Sequence, residues 1–168
     1  MPPLFWIDTT IFFFSMIVSA SLTFLVFVID PRNKVNIFFS LFTLSAAVWS
    51  GGALLMRLSL WTGFGNPDFL GEIATMGFLY LGVLLLLFSN HFLNRRSRFI
   101  DIIVIAGLSI SILVAFPLFR HEVVYGHFIN EAGTTHNHFT TLGLILSLIP
   151  VSFITWAFIL FLDRKSVV

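Results

Sequence analysis

The sequence predicts an all-α fold: a polytopic membrane helix bundle of five transmembrane helices, with the N-terminus outside and the C-terminus inside. Three observations carry that prediction. The 168 residues are 58% hydrophobic and only 10% charged, with 22 phenylalanines and a mean hydropathy of +1.00, whereas soluble domains hold roughly 25% charged residues. The apolar residues fall in long continuous runs, not in a two-residue alternation, which favours helices over a barrel. Seven of the nine lysines and arginines lie in segments on one side of those runs, and cytoplasmic segments near a membrane are enriched in these residues.

A helix needs about 20 mostly apolar residues to cross a hydrocarbon core roughly 30 Å thick. Residues 9–29 form the first span. They lack a basic n-region and exceed the roughly 7 to 15 residues of a signal-peptide core, so the helix is expected to be retained. Arg32 and Lys34 separate it from the second span, 35–56, which Arg57 closes. The third span, 69–90, carries Glu72 about one turn in and leads to Arg95, Arg96 and Arg98. The fourth, 102–119, is the shortest and is bounded by Asp101 and Arg120. Residues 120–138 form the outer loop, and the fifth span, 139–162, contains Pro150 and precedes Arg164 and Lys165. Asp8 is the one charge of the N-terminal tail on this reading, and Trp6, Trp61 and Tyr125 fall at the outer interface, as an aromatic belt requires. The whole chain, 1–168, is read as a single transmembrane domain.

Without a hydrophobic drive between helices in lipid, close packing depends on small residues and a few polar contacts. The second span supplies Ser45, Ala46, Ala47, Ser50, Gly51, Gly52 and Ala53; the fourth Gly107, Ser111 and Ala115; the fifth Gly143 and Ser147. A charge at membrane depth demands a partner, so Arg57 and Glu72 are expected to form a structural ion pair, with a ligand-responsive or proton-accepting Glu72 as the other reading. Trp49 and Trp156 lie inside spans and need an acceptor for the indole N–H. A neighbouring helix would serve; a sensor would instead place a pocket near Trp49, Glu72 and Trp156. Pro150 removes a backbone donor and is expected to bend its helix.

Several chemistries are excluded or disfavoured. With no cysteine, thiol chemistry and thiolate metal sites are absent. A net charge of +1 gives no reason to expect nucleic acid as a partner. No span carries a histidine near its middle, against haem held between helices. Paired carboxylates, HExxH, GxSxG and a phosphate-cradling loop are all missing, so no enzyme is expected.

The stretch "RHEVVYGHFINEAGTTHNHF" holds His121, His127, His136 and His138, with Glu122 and Glu131. Those groups supply enough nitrogen and oxygen for zinc or copper. Positions 136 and 138 share a side only on a strand, and the segment reads as a hairpin: 123–129, a turn at 130–133, then 134–138. A metal site, a surface that senses protons or a small ligand, and a loop that only caps the bundle are the three readings.

The basic turn "DPRNKVN", Trp49 midway along the second span, and "LLLLFSNHFLNRR", with Phe88 and Phe92 ahead of the arginines, resemble the N-terminal seven-transmembrane region that precedes the kinase core in many bacterial sensor histidine kinases. The likeness extends to Tyr125, Gly126 and Gly133 and covers about residues 9–165. It implies a sensory input module in a bacterial cytoplasmic (inner) membrane. It also implies two further helices and a phosphotransfer module after "FLDRKSVV", which are not in this sequence. The chain is therefore expected to phosphorylate nothing itself. The alternative to a sensory module is an accessory or structural subunit of a larger membrane assembly, with a transporter-like or metal-binding protein as a further reading. The chain's partners would be the lipid bilayer and other membrane proteins or further copies of itself.

Overall fold

Each long apolar run closes its backbone hydrogen bonds within itself, the arrangement an environment without water demands. In the computed structural model, which describes residues 3–93, 98–115, 124–129, 135–139 and 141–163, they form five helices and a hairpin. The helices are α1 (Pro3–Ile29), α2 (Lys34–Thr62), α3 (Pro67–Phe92), α4 (Arg98–Ala115) and α5 (Thr141–Asp163). The strands β1 (Val124–Ile129) and β2 (Thr135–Phe139) lie between α4 and α5. By length and composition α1, α2, α3 and α5 are long and apolar enough to cross a membrane, which is compatible with an integral membrane protein. The apolar part of α4, Phe99–Leu113, is shorter than those four.

Several boundaries depart from the sequence reading, each for a local reason. Helix α1 begins at Pro3, where proline is tolerated because a first-turn N–H has no helical acceptor. Asp8 is therefore inside a helix and not in a tail. Helix α4 starts at Arg98 with Asp101 in its first turn, where a carboxylate meets the positive helix end; residues 116–119 of the expected fourth span lie outside the described residues. Phe139 ends β2 and does not open α5.

The turns are set by side chains. Asn33 Oδ1 accepts from Val35 N at 2.9 Å and caps α2; Asn66 Oδ1 accepts from Asp68 N and Phe69 N at 3.1 and 3.2 Å and caps α3. Such caps satisfy donors the first helical turn leaves over. Gly63, at φ 69°, ends α2 in the left-handed region that glycine adopts without a Cβ penalty.

Helix α3 is the centre of the bundle, with α2 on one side and α4 and α5 on the other, while α1 packs on α2. Two glycines of α3 bring backbones together. A Cβ on Gly77 would collide with Trp49 N, and one on Gly82 with the Pro150 carbonyl oxygen. At the first contact Ser45 Oγ donates to the Gly77 carbonyl at 2.6 Å. Gly52 of α2 fits against Ala74, where a Cβ would lie 2.7 Å from the backbone N. Below these crossings Val83, Leu86, Ile100, Val104, Ala157 and Leu160 of α3, α4 and α5 form the buried core. Phe39 and Phe161 close over Phe88 at ring distances of 5.2 and 6.4 Å.

The antiparallel strands pair Phe128 with His136 and Gly126 with His138, close to the hairpin read from the sequence. The hairpin rests against α2 and α3 through β1 and against α5 through β2. This end of the bundle is called the hairpin end; the end bearing Arg32 and Lys34 is the basic end.

Candidate functional site

Arg57 is the largest fully buried side chain among the described residues, at 1% exposure. It stands in the last turns of α2, near the hairpin end. Its Nη1 lies 3.2 Å from Asp8 Oδ2 of α1, and its guanidinium carbon sits 5.0 Å from the centre of the Phe5 ring. Helical periodicity explains this convergence: positions 5 and 8, three apart, share one face of α1. Phe5, itself 2% exposed, packs on Trp6 and Trp61 with ring centroids 5.4 and 5.8 Å away. Trp6 meets Trp61 edge-on at 5.3 Å.

The site therefore has a sealed cation, a carboxylate and an aromatic lid. Asp8 keeps 33% of its side chain exposed against 2% for Arg57, so the carboxylate is the less enclosed partner. A buried guanidinium without a counter-charge is strongly unfavourable, and a ring face adds a cation–π contribution of about 0.5–2 kcal/mol. The arrangement can hold charge and bind α1 to α2. It offers no nucleophile beside a base.

The carboxylate that the ion-pair contact adds is Asp8, which the sequence reading had assigned to the N-terminal tail. Its signal was available: an acid three residues after Phe5, on the first turns of an apolar helix. As for Glu72, the α2–α3 crossing sets Gly52 against Ala74 and Trp49 against Gly77. At that register Arg57 is level with the first turn of α3, so half-buried Glu72 stands within about one turn of it.

Trp49 and Trp156 occupy different places. Trp49 packs between Phe12 of α1 and Phe78 of α3, at 6.4 and 5.7 Å. Trp156 meets Phe99 of α4 at 6.0 Å. Since Gly82 faces Pro150 and Phe92 faces Phe161, Trp156 is level with the basic-end third of α3. That is on the order of 20 Å along the helix from Glu72, at about 1.5 Å per residue. The structure brings Trp49 and Glu72 toward one end and sets Trp156 apart from them.

His121 lies outside the described residues. His127 pairs with Asn137, out of phase with His136 and His138, which pair with Phe128 and Gly126. Positions 136 and 138 thus fall on one side of the ribbon and 127 on the other. Among the described residues no group of three His, Asp or Glu side chains is placed to hold a metal ion. His91, at the basic end, stacks on Phe38 at 4.4 Å, and Asn90 Nδ2 donates to Asp101 Oδ1 at 3.3 Å, joining α3 to α4.

Compared with models of protein families, with curated proteins and with solved structures, the chain matches none.

Proposed function

We propose that the chain is a non-catalytic integral membrane protein of five spans, N-terminus outside and C-terminus inside, that acts as a sensory input module. What carries this reading is the segregation of polar chemistry. The hairpin end gathers Asp8, Arg57, Asp68 and Glu72 beneath the histidine-bearing strands, whereas the flanks of the bundle are apolar, with Phe24 and Ile29 at 69% and 77% exposure. At the hairpin end these titratable groups lie where α1, α2 and α3 meet. The likeness of the basic turn and of "LLLLFSNHFLNRR" to the membrane regions of bacterial sensor kinases supports the same reading, and with it a bacterial inner membrane.

The alternative is an accessory subunit of a larger membrane complex. One observation favours it: no residue of α1 from Ile11 to Ile29 is buried, which leaves a long apolar flank that lipid or another protein can cover. Purification in a mild detergent separates the two. A chain that elutes alone and binds a small ligand or protons with a change in Trp49 fluorescence supports the sensor; a stoichiometric membrane partner retained through two columns removes the autonomous-sensor reading.

A further inference from the structure

Helix α1 touches α2 along one narrow stripe. Phe5 packs on Trp61, Asp8 on Arg57, Phe12 on Trp49, Met16 on Gly51 and Thr23 on Thr43. The two threonine hydroxyls are 2.9 Å apart. The burial along this stripe is uneven. Phe5 and Thr9 are buried, at 2% and 9% exposure, and beyond them α1 has no buried residue.

We propose that α1 is a detachable arm of the bundle, held on α2 by a latch in which Asp8 and Phe5 close over Arg57. The inference is independent of whether the protein senses anything. Past the latch the seam is mostly apolar, and lipid tails replace such contacts with little loss because no hydrophobic drive joins helices in a bilayer. At the latch the balance reverses. Arg57 is sealed from water and draws its α1 counter-charge from Asp8, so the first turns of α1 are held by a charge that lipid cannot supply. Asp8, one-third exposed, is the less enclosed member of the pair, and Glu72 of α3 stands within about one turn of Arg57 on the bundle side. Loss of the Asp8 charge frees the arm and uncovers Thr43 and Gly51 on α2, small residues of the kind on which transmembrane helices dock.

The absence of cysteine makes the test direct. In the full chain reconstituted in vesicles, the pair Thr23→Cys and Thr43→Cys reports docking of α1 far from the latch. The pair Phe88→Cys and Phe161→Cys, bridged by a short bifunctional thiol reagent, reports the α3–α5 core. Asp8→Asn is expected to slow the first cross-link about tenfold, Asp8→Glu to restore it, and the second cross-link to be unchanged. An unchanged first cross-link in Asp8→Asn overturns the latch. Slowing of both pairs together also overturns it, because the charge would then hold the whole bundle and not an arm. Should Asp8→Asn fail to accumulate, Phe5→Ala, which keeps both charges and opens the seal, is expected to slow the first pair alone; an unchanged rate there is equally fatal.

Discussion

Alanine in place of Gly77 puts a methyl group where two helix backbones already touch. The new Cβ would lie 2.8 Å from Trp49 Cα and 2.9 Å from the Ser45 carbonyl oxygen. Carbon atoms need about 3.5 Å, so α2 and α3 must part by at least about 0.7 Å, and Trp49 N is nearer still. Neither obstacle is a side chain that can swing aside. Overpacking of this kind costs about 1–3 kcal/mol. The separation also stretches the Ser45–Gly77 hydrogen bond, now 2.6 Å, and such bonds within membranes are worth about 0.6 kcal/mol on average and at most about 1.7. Alanine returns about 1 kcal/mol of helix propensity, leaving a net loss of about 1–3 kcal/mol. Gly107 is the control: there the added methyl meets the Phe153 ring at 2.7 Å, and a ring can rotate away, so the net change is expected within about 1 kcal/mol. Reversible unfolding by SDS in mixed micelles, followed by tryptophan fluorescence, gives both numbers. A Gly77→Ala protein as stable as the parent, or less affected than Gly107→Ala, would refute the close α2–α3 crossing.

Three further outcomes follow from the same structure. Exchanging Asp8 and Arg57 (D8R with R57D) should recover membrane accumulation lost in either single variant, and comparison with an Arg57 and Glu72 exchange in the same assay shows which carboxylate couples more strongly to the guanidinium; failure of both exchanges would count against a structural ion pair at this end. Asn66→Ala removes the cap of α3 and should lower stability by about 1 kcal/mol, read as a shift of the same SDS midpoint, while no shift would show that the cap is dispensable. Calorimetric titration of zinc or copper tests the hairpin: the metal reading predicts binding that the His136→Ala, His138→Ala double variant loses, and equal binding by both proteins ends it.

Helices were the most legible part of the molecule, because a run of about 20 apolar residues leaves the backbone no other way to satisfy itself in lipid. The hairpin was legible from the residues around Asn130 to Gly133, and its strands agree with the reading to within a residue. Contacts between helices were less so. The stripe on α2 is visible as Ser45, Gly51 and Gly52, whereas Gly77, the α3 glycine that Ser45 and Trp49 meet, does not stand out inside a Leu-rich helix. Its signal was a glycine in the middle of an apolar span, a small residue that lets a neighbouring backbone approach. Asp8 was misplaced for a different reason. Hydropathy marks where a helix enters an apolar phase, not where it begins, so the not quite two turns of α1 from Pro3 to Asp8 look like a tail. Trp49 and Trp156 seemed alike in sequence because each lies within a span; depth along the bundle, set by the Gly82 and Pro150 contact, is what separates them.

The proposed topology, five spans with the N-terminus outside and the C-terminus inside, is tested most directly by a protease-cleavable tag after Val168. In sealed cells the tag should resist external protease and be cut only after the membrane is opened. Cleavage in intact cells would invert the bundle and place the hairpin and Asp8 on the cytoplasmic side.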